Sequence, residues 1–211
     1  MKTKFFLTLT LALAVTVATN AQTTFGVRGG VNLYNLTGKD AVGDDFNNKL
    51  KVGFNAGVNA EIPVGEDFYV QPGLLFSQKG AKADGSDAKV NLSYVELPVN
   101  FIYKPELGTG KMLLGFGPYF GVAAGGSIKP DGGGEDVDIE FGNNQELGDP
   151  FTLKRFDAGG NLLVGYEFAN KLSFQLNAQL GMLNLAPKAA GQETDAKIKN
   201  TGFGLSLGYR F

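Results

Sequence analysis

The 211-residue sequence contains no cysteine, no histidine and no tryptophan. Without cysteine, neither disulfide nor thiolate chemistry is available to the chain. Without histidine, it lacks the commonest general base and metal ligand. Nineteen basic and 21 acidic residues leave a formal net charge of −2, so no positive field favours nucleic acid. The composition argues against most catalytic, metal-binding and nucleic-acid-binding classes.

Long apolar runs are also scarce. The apolar run at residues 5–18 follows Lys2 and Lys4, and it is shorter than the roughly 20 residues that a membrane-spanning helix needs. Thr19 and Ala21 then supply small residues at the −3 and −1 positions of a cleavage site. The pattern predicts a secretory signal peptide over residues 1–21 and a mature domain over residues 22–211; the alternative is a short membrane anchor.

The sequence is rich in segments whose apolar residues alternate with polar or small ones. In residues 52–62 every even position is apolar, and every odd position is Gly, Asn or Glu. Alternate residues of a strand point to opposite faces, so such a strand has one apolar and one polar face. Segments of about 10 residues are long enough for a tilted strand to cross a bilayer. The predicted strands are residues 24–36, 52–62, 68–79, 92–104, 112–124, 155–168, 172–185 and 201–211.

The predicted connections alternate in length. Residues 63–67, 105–111 and 169–171 form short connections, whereas residues 37–51, 80–91, 125–154 and 186–200 form long ones. Outer-membrane barrels have short periplasmic turns and long external loops. The predicted fold class is therefore all-β, an eight-stranded antiparallel up-and-down transmembrane β-barrel.

Phenylalanine and charge lie on opposite faces of these strands. All strand phenylalanines share the apolar parity: Phe25, Phe54, Phe68, Phe76, Phe101, Phe116, Phe120, Phe156, Phe168, Phe174, Phe203 and Phe211. The strand charges take the other parity: Arg28, Glu61, Lys79, Glu96, Lys104, Arg155, Asp157, Glu167 and Arg210. A charge on the lipid face costs roughly 2–4 kcal/mol near the midplane, which would enforce this segregation.

We expect the charged residues to form a paired polar network in the lumen, with Glu96 or Asp157 pairing with Arg28 or Arg155. A proton or ion path is the functional alternative. A soluble barrel would also alternate, with its apolar face inside. The polar face of residues 112–124 carries Gly115, Gly117, Gly121 and Ala123, however, which suit a crowded lumen better than a wet surface.

Several short motifs resemble the PorT-like outer-membrane β-barrel family of Bacteroidetes-type bacteria. They are residues 94–104 (YVELPVNFIYK), 117–121 (GPYFG) and 155–159 (RFDAG), and the opening residues 26–32 (GVRGGVN) are similar to the family's first strand. The resemblance implies an eight-stranded outer-membrane barrel. Some members are associated with type IX secretion and gliding, and most have no assigned activity.

No catalytic residue, cofactor or metal site is predicted, because no Ser-Lys spacing or metal-ligand cluster replaces the missing histidine. The carboxylates of residues 125–154 do not match the spacing of an EF-hand loop. We expect this loop to be solvated and mobile and to be the best place for partner contact. Its acidic residues are Asp131, Glu135, Asp136, Asp138, Glu140, Glu146 and Asp149.

The predicted function is that of a non-enzymatic integral outer-membrane barrel of a Gram-negative cell, acting as a scaffold, in surface interaction or as an accessory of secretion. Expected partners are outer-membrane lipid, the barrel-assembly machinery and other envelope or secretion proteins. Phe211, at the end of an alternating strand, is predicted to be the assembly signal. The alternatives are a small pore and a soluble periplasmic barrel that binds a small apolar ligand.

Overall fold

Eight long strands form the framework of the protein. The computed structural model describes residues 22–40, 43–46, 48–145, 151–189, 191–192 and 195–211. The long strands are β1 (Thr24–Lys39), β2 (Asn48–Gly65), β3 (Phe68–Ala83), β4 (Lys89–Tyr103), β5 (Gly110–Lys129), β6 (Phe156–Glu167), β7 (Leu172–Gly181) and β8 (Lys197–Arg210). All eight predicted strands are present. Most extend further towards the long loops than expected, whereas β7 ends at Gly181 instead of residue 185.

The strands close into a ring. Each pairs antiparallel with its neighbours in sequence, and β1 pairs with β8 over the register Gly26↔Arg210 to Lys39↔Lys197. Short turns join β2 to β3, β4 to β5 and β6 to β7. Two of these turns use a positive φ at a non-glycine residue, Asp67 (60°) and Lys171 (67°). The prediction of an eight-stranded up-and-down barrel is confirmed.

The outer face of the ring is apolar. All 12 phenylalanines on the apolar parity are exposed, together with many leucines and valines of the same parity. Asn, Gln, Ser and charged side chains are buried on the inner face. A soluble barrel with an apolar ligand inside would have the reverse arrangement, so that alternative is wrong. No helix in the described part of the chain is long and apolar enough to cross a membrane.

Glycine makes room for large side chains in the narrow lumen. A Cβ on Gly159 would lie 2.9 Å from a ring carbon of Tyr119, and a Cβ on Gly117 would lie 1.9 Å from the carbonyl oxygen of Val99. Real Cβ atoms do not approach other atoms this closely. These inward glycines let the strands curve tightly while Tyr119 occupies the interior, which agrees with the expectation of a crowded lumen.

At the long-loop end, short segments complete the wall of the barrel. Strands β6 and β7 are shorter there than β5, and the space between β5 and β8 is occupied by residues 137–141, 151–154 and 184–189. Val137–Asp138 pairs with β5, and Glu140–Phe141 pairs in parallel with Thr152–Leu153. Backbone hydrogen bonds from Lys154 N to Leu185 O and from Leu185 N to Ile198 O, both 2.8 Å, carry the pairing on to β8.

The long-loop end of the barrel has an apolar core. Its buried members are Leu36, Ala81, Leu92, Tyr94, Ala123, Ile139, Leu153, Leu185, Ala186 and Ile198. The expectation that all of residues 125–154 form a solvated loop is therefore wrong. Residues 125–129 extend β5, and Ile139 and Leu153 are buried because they face the interior of the completed wall. We call the ring of exposed apolar residues on the outer face the apolar belt. At the height of this belt the lumen is polar, and beyond the belt, towards the long loops, the lumen is apolar.

Candidate functional site: two charged clusters in the lumen

Lys79 lies at the centre of the first cluster, which we call the central cluster (Arg28, Lys79, Glu96 and Asp157). Its ammonium nitrogen is 2.5 Å from Glu96 Oε1 and 3.2 Å from Asp157 Oδ2. The Lys79 side chain is 0% exposed, and the two carboxylates are almost as deeply buried. The paired anions compensate for the hydration that the buried ammonium group has lost.

Three tyrosines surround the same ammonium group. The Lys79 Nζ atom is 4.4 Å from the ring centroid of Tyr119, 5.0 Å from that of Tyr34 and 5.4 Å from that of Tyr94. The negative faces of aromatic rings attract a desolvated cation. The tyrosines therefore stabilise the charge and, at the same time, fill the cross-section of the lumen.

Hydrogen bonds extend the central cluster around the barrel. Asp157 Oδ2 accepts from Tyr119 Oη at 3.2 Å and from Asn200 Nδ2 at 2.9 Å. Glu96 Oε2 accepts from Gln179 Nε2 at 3.2 Å, and Gln179 Oε1 accepts from Tyr34 Oη. These partners come from β1, β3, β4, β5, β6, β7 and β8. The cluster consequently ties seven of the eight strands together across the lumen.

Arg28 supplies the second positive charge of the central cluster. It lines a cavity of about 20 Å³ together with Glu96, Asn177 and Ser206. Its buried Nε atom has no hydrogen-bond partner among the described residues. A polar cavity of this size can hold one water molecule. With Arg28 included, two cations balance the two carboxylates.

The second cluster, which we call the turn-side cluster (Glu61, Lys104, Glu167 and Arg210), lies nearer the short turns. Lys104 Nζ is 2.9 Å from Glu61 Oε2 and 3.0 Å from Glu167 Oε1. Arg210 Nη2 is 2.8 Å from Glu61 Oε1. These residues come from β2, β6, β8 and the position just after β4. Two cations again balance two carboxylates.

Eight of the nine predicted lumen charges lie in these two clusters; Arg155 does not. Arg155 is exposed in a bend before β6, and its guanidinium carbon lies 5.6 Å from the ring centroid of Phe141. The alternating pattern continues through Arg155, but the strand begins only at Phe156, so parity does not determine where its side chain points. The predicted pairing of Glu96 or Asp157 with Arg155 is wrong, because both carboxylates pair with Lys79.

Sequence reasoning missed several interior residues. Tyr34 and Tyr94 lie on the inward parity of their strands, and that position is the signal that could have identified them. Lys51 is buried as well and donates to the carbonyl oxygen of Lys79 at 3.4 Å. The predicted strand begins one residue later, at Val52, and so places Lys51 in a loop.

The five acidic loop residues within the described part of the chain, Asp131, Glu135, Asp136, Asp138 and Glu140, are all exposed. Asp138 and Glu140 flank buried Ile139 in the completed wall, so their carboxylates point to solvent. Glu146 and Asp149 lie outside the described residues. No group of three or more potential metal-ligand side chains occurs in the residues that the structure describes.

Phe211 belongs to an aromatic band at the short-turn end. It is exposed, its ring stacks edge-on against Tyr209 at 5.4 Å, and its backbone N donates to Phe25 O at 2.8 Å. Aromatic pairs Phe68–Tyr103, at 4.9 Å, and Tyr166–Phe168, at 5.0 Å, lie at the same end. Such bands form at the membrane–water interfaces of transmembrane barrels.

No curated protein matches the chain. Several solved structures are distantly similar. The attachment invasion locus protein Ail of Yersinia pestis, solved with the heparin analogue sucrose octasulfate, is 14% identical over 90% of this chain and 99% of that chain, with a TM-score of 0.44. Neisserial surface protein A is 12% identical over 89% and 97%, with a TM-score of 0.47. A major outer membrane protein of Thermus thermophilus is 13% identical over 90% and 100%, with a TM-score of 0.46.

A family model covers most of the chain. Residues 20–186 match the outer membrane protein beta-barrel domain. This match agrees with the closed ring, its apolar outer face and its polar lumen, which together suit an outer-membrane location. The chain belongs to the family of outer membrane protein beta-barrel domains.

Proposed function

We propose that this outer-membrane barrel is sealed and non-enzymatic, and that it presents its long-loop end to other molecules as a scaffold, a surface-interaction protein or a secretion accessory. The observation that carries the proposal is that side chains fill the lumen at two heights along the barrel. The central cluster fills the lumen within the apolar belt, and the apolar core fills the barrel beyond the belt.

Conduction would require both levels to open. An ion passing the central cluster would have to separate Lys79 from two carboxylates and displace three tyrosine rings. It would then meet the apolar core around Leu92 and Leu153, whose members carry no charged group. An eight-stranded barrel has an interior just wide enough for its side chains to fill. These features support a structural role for the charged clusters over a small pore.

The same features support a non-enzymatic role. Seven of the eight charges in the two clusters form direct ion pairs with one another, and the eighth, Arg28, lines a cavity of only about 20 Å³ together with Glu96. A substrate would therefore find neither space nor an uncommitted acid and base. The PorT-like resemblance, export by a signal peptide over residues 1–21 and a link to secretion are parts of the same proposal.

Phe211 is proposed to be recognised by the barrel-assembly machinery. Its ring is 63% exposed, so its deletion removes little besides the contact with Tyr209 and one backbone hydrogen bond to Phe25. Deleting Phe211 should lower the amount of assembled protein several-fold in cells and hardly change refolding in detergent. An equal defect in both settings would assign Phe211 to packing.

Planar-bilayer recording tests the sealed barrel. Purified protein inserted into a planar bilayer should show no conductance steps, because the central cluster and the apolar core both block the lumen. Insertion is verified separately by the shift in gel mobility between heated and unheated samples from the same proteoliposomes. Regular conductance steps from protein shown to be folded and inserted would contradict the proposal and favour a small pore.

A further inference from the structure

Four lysines form a row across neighbouring strands at the long-loop end. In the strand register, Lys49 of β2 pairs with Lys82 of β3, Lys82 pairs with Lys89 of β4, and Lys89 pairs with Lys129 of β5. Directly paired residues have Cβ atoms about 5 Å apart. We call these four residues the lysine row.

The row lies on the outside of the wall. Ala81, Val90 and Ile128 each precede or follow a lysine of the row, and all three pack into the apolar core. Because neighbouring strand residues point to opposite faces, Lys82, Lys89 and Lys129 point away from the core. Lys89 lies six residues beyond Val95, an exposed residue of the apolar belt. At about 3.3 Å per residue and a strand tilt near 40°, Lys89 therefore lies roughly 15 Å above Val95 along the barrel axis.

Only part of this positive charge is neutralised by the protein. Lys49 Nζ is 2.5 Å from Asp84 Oδ1, and Lys82 Nζ is 2.6 Å from Asp87 Oδ1. Those ammonium groups hold the pKa of Asp84 and of Asp87 below the ordinary aspartate value. Lys89 and Lys129 are exposed, and neither forms an ion pair with an acidic side chain of the described residues.

Like charges directly opposite each other destabilise a sheet. Asp87, which pairs with Lys82, also interacts with Lys89 at longer range, so the Lys89–Lys129 pair is only partly neutralised by the protein. The pair becomes more favourable when an anion binds between the two strands. Phosphate oxygens accept hydrogen bonds from several ammonium groups at once, and a charge-assisted hydrogen bond is stronger than a neutral one.

We propose that the lysine row binds the phosphorylated headgroup of a glycolipid in the outer leaflet. Two observations select a membrane lipid as the occupant. The row is on the same outer face as the lipid-contacting belt, and its height places it in the layer of headgroups and sugars. A lipid anchored beside the belt reaches the row at high local concentration, which a polyanion in solution does not.

Binding of fluorescent bisphosphorylated lipid A to the folded protein in zwitterionic detergent tests this site. We expect saturable binding, and we expect Lys89→Gln/Lys129→Gln to weaken it about 30-fold, since each of the two lysines near a charged surface contributes on the order of 1 kcal/mol. The matched control, Lys111→Gln/Lys171→Gln, removes two charges at the short-turn end and should leave the affinity unchanged. Heat-modifiable gel mobility checks that every variant is folded.

Three outcomes would overturn the proposal. The first is equal affinity of lipid A for the parent and for Lys89→Gln/Lys129→Gln. The second is equally tight binding of dephosphorylated lipid A, which would show that acyl chains alone are recognised. The third is soluble heparin binding as tightly as lipid A and losing affinity in the same variant, which would make the row a site for polyanions in solution.

Discussion

Replacing Lys79 with methionine should lower the free energy of unfolding by about 3–5 kcal/mol, the effect expected when one partner of a buried ion pair is removed. Methionine keeps most of the volume of lysine but removes the only cation that lies within 4 Å of both Glu96 and Asp157 in the described structure. Those carboxylates would remain buried without their shared counter-charge. Urea unfolding of the protein in detergent micelles measures the change.

Two further variants separate charge from packing. Lys111→Met removes a lysine that lies 3.7 Å from Asp67 at the surface, and such a pair contributes at most about 1 kcal/mol. The double variant Lys79→Met/Asp157→Asn removes one stranded negative charge, leaves Arg28 to balance Glu96, and should recover more than half of the lost stability. A Lys79→Met loss no larger than that of Lys111→Met, or no recovery in the double variant, would show that the central cluster does not stabilise the barrel.

Leu97→Arg should destabilise the protein in a phospholipid bilayer by roughly 2–4 kcal/mol, the cost of arginine on the lipid face near the midplane. Leu97 lies on the outer face of β4, in the middle of a run of exposed apolar residues that includes Val95 and Phe101. Because this position points outwards, the introduced arginine cannot reach the polar lumen. Reversible unfolding from phospholipid vesicles measures the change.

Ser93→Arg is the matched control for Leu97→Arg. Ser93 is on the same strand and the same outer parity, but it lies beyond the apolar belt, where arginine costs about 0–1 kcal/mol. The difference between the two variants should shrink in detergent, which adapts to the protein surface more readily than a bilayer does. Equal losses in the bilayer would mean that the outer face of β4 is not in contact with lipid.

The strands, and the face on which each of their residues lies, could be predicted because contact with lipid makes a charged residue on the outer face costly. A charge on the outer face is costly at each position of the belt, so the period of two runs unbroken through β2 from Val52 to Ile62. Apolar side chains are favoured in contact with lipid, and all 12 phenylalanines of the predicted strands are exposed on this face. At the ends of strands the penalty vanishes, and there the predictions fail: Arg155 is exposed and Lys51 is inside.

The partners within the lumen could not be predicted from parity. Parity determines the face of a residue, but pairing also requires its height in the barrel, which depends on register shifts. One such shift lies between Leu50 and Asn55 of β2, and another lies between Ser93 and Tyr94 of β4. The second shift lies between Lys79 on β3 and Asp157 on β6, so it contributes to the height at which these two residues meet across the lumen. Neither shift has a recognisable motif.

The apolar core beyond the belt was missed for a different reason. Ile139, Leu153 and Leu185 come from short segments of two separate connections, and none of these segments is long enough to show a period. Their burial depends on closure of the wall between β5 and β8, which is a tertiary event. A sequence pattern read over one strand cannot reveal it.

Labelling of single cysteines on intact cells tests the membrane-spanning barrel most directly. The chain has no cysteine of its own, so each introduced thiol is the only target. Asp131 is exposed after β5 at the long-loop end, and Ala169 is exposed in the short turn after β6. A membrane-impermeant maleimide should label Asp131→Cys on intact cells and should label Ala169→Cys only after the outer membrane has been permeabilised. Labelling of both on intact cells, or of Ala169→Cys alone, would contradict a barrel that spans the outer membrane with its short turns in the periplasm.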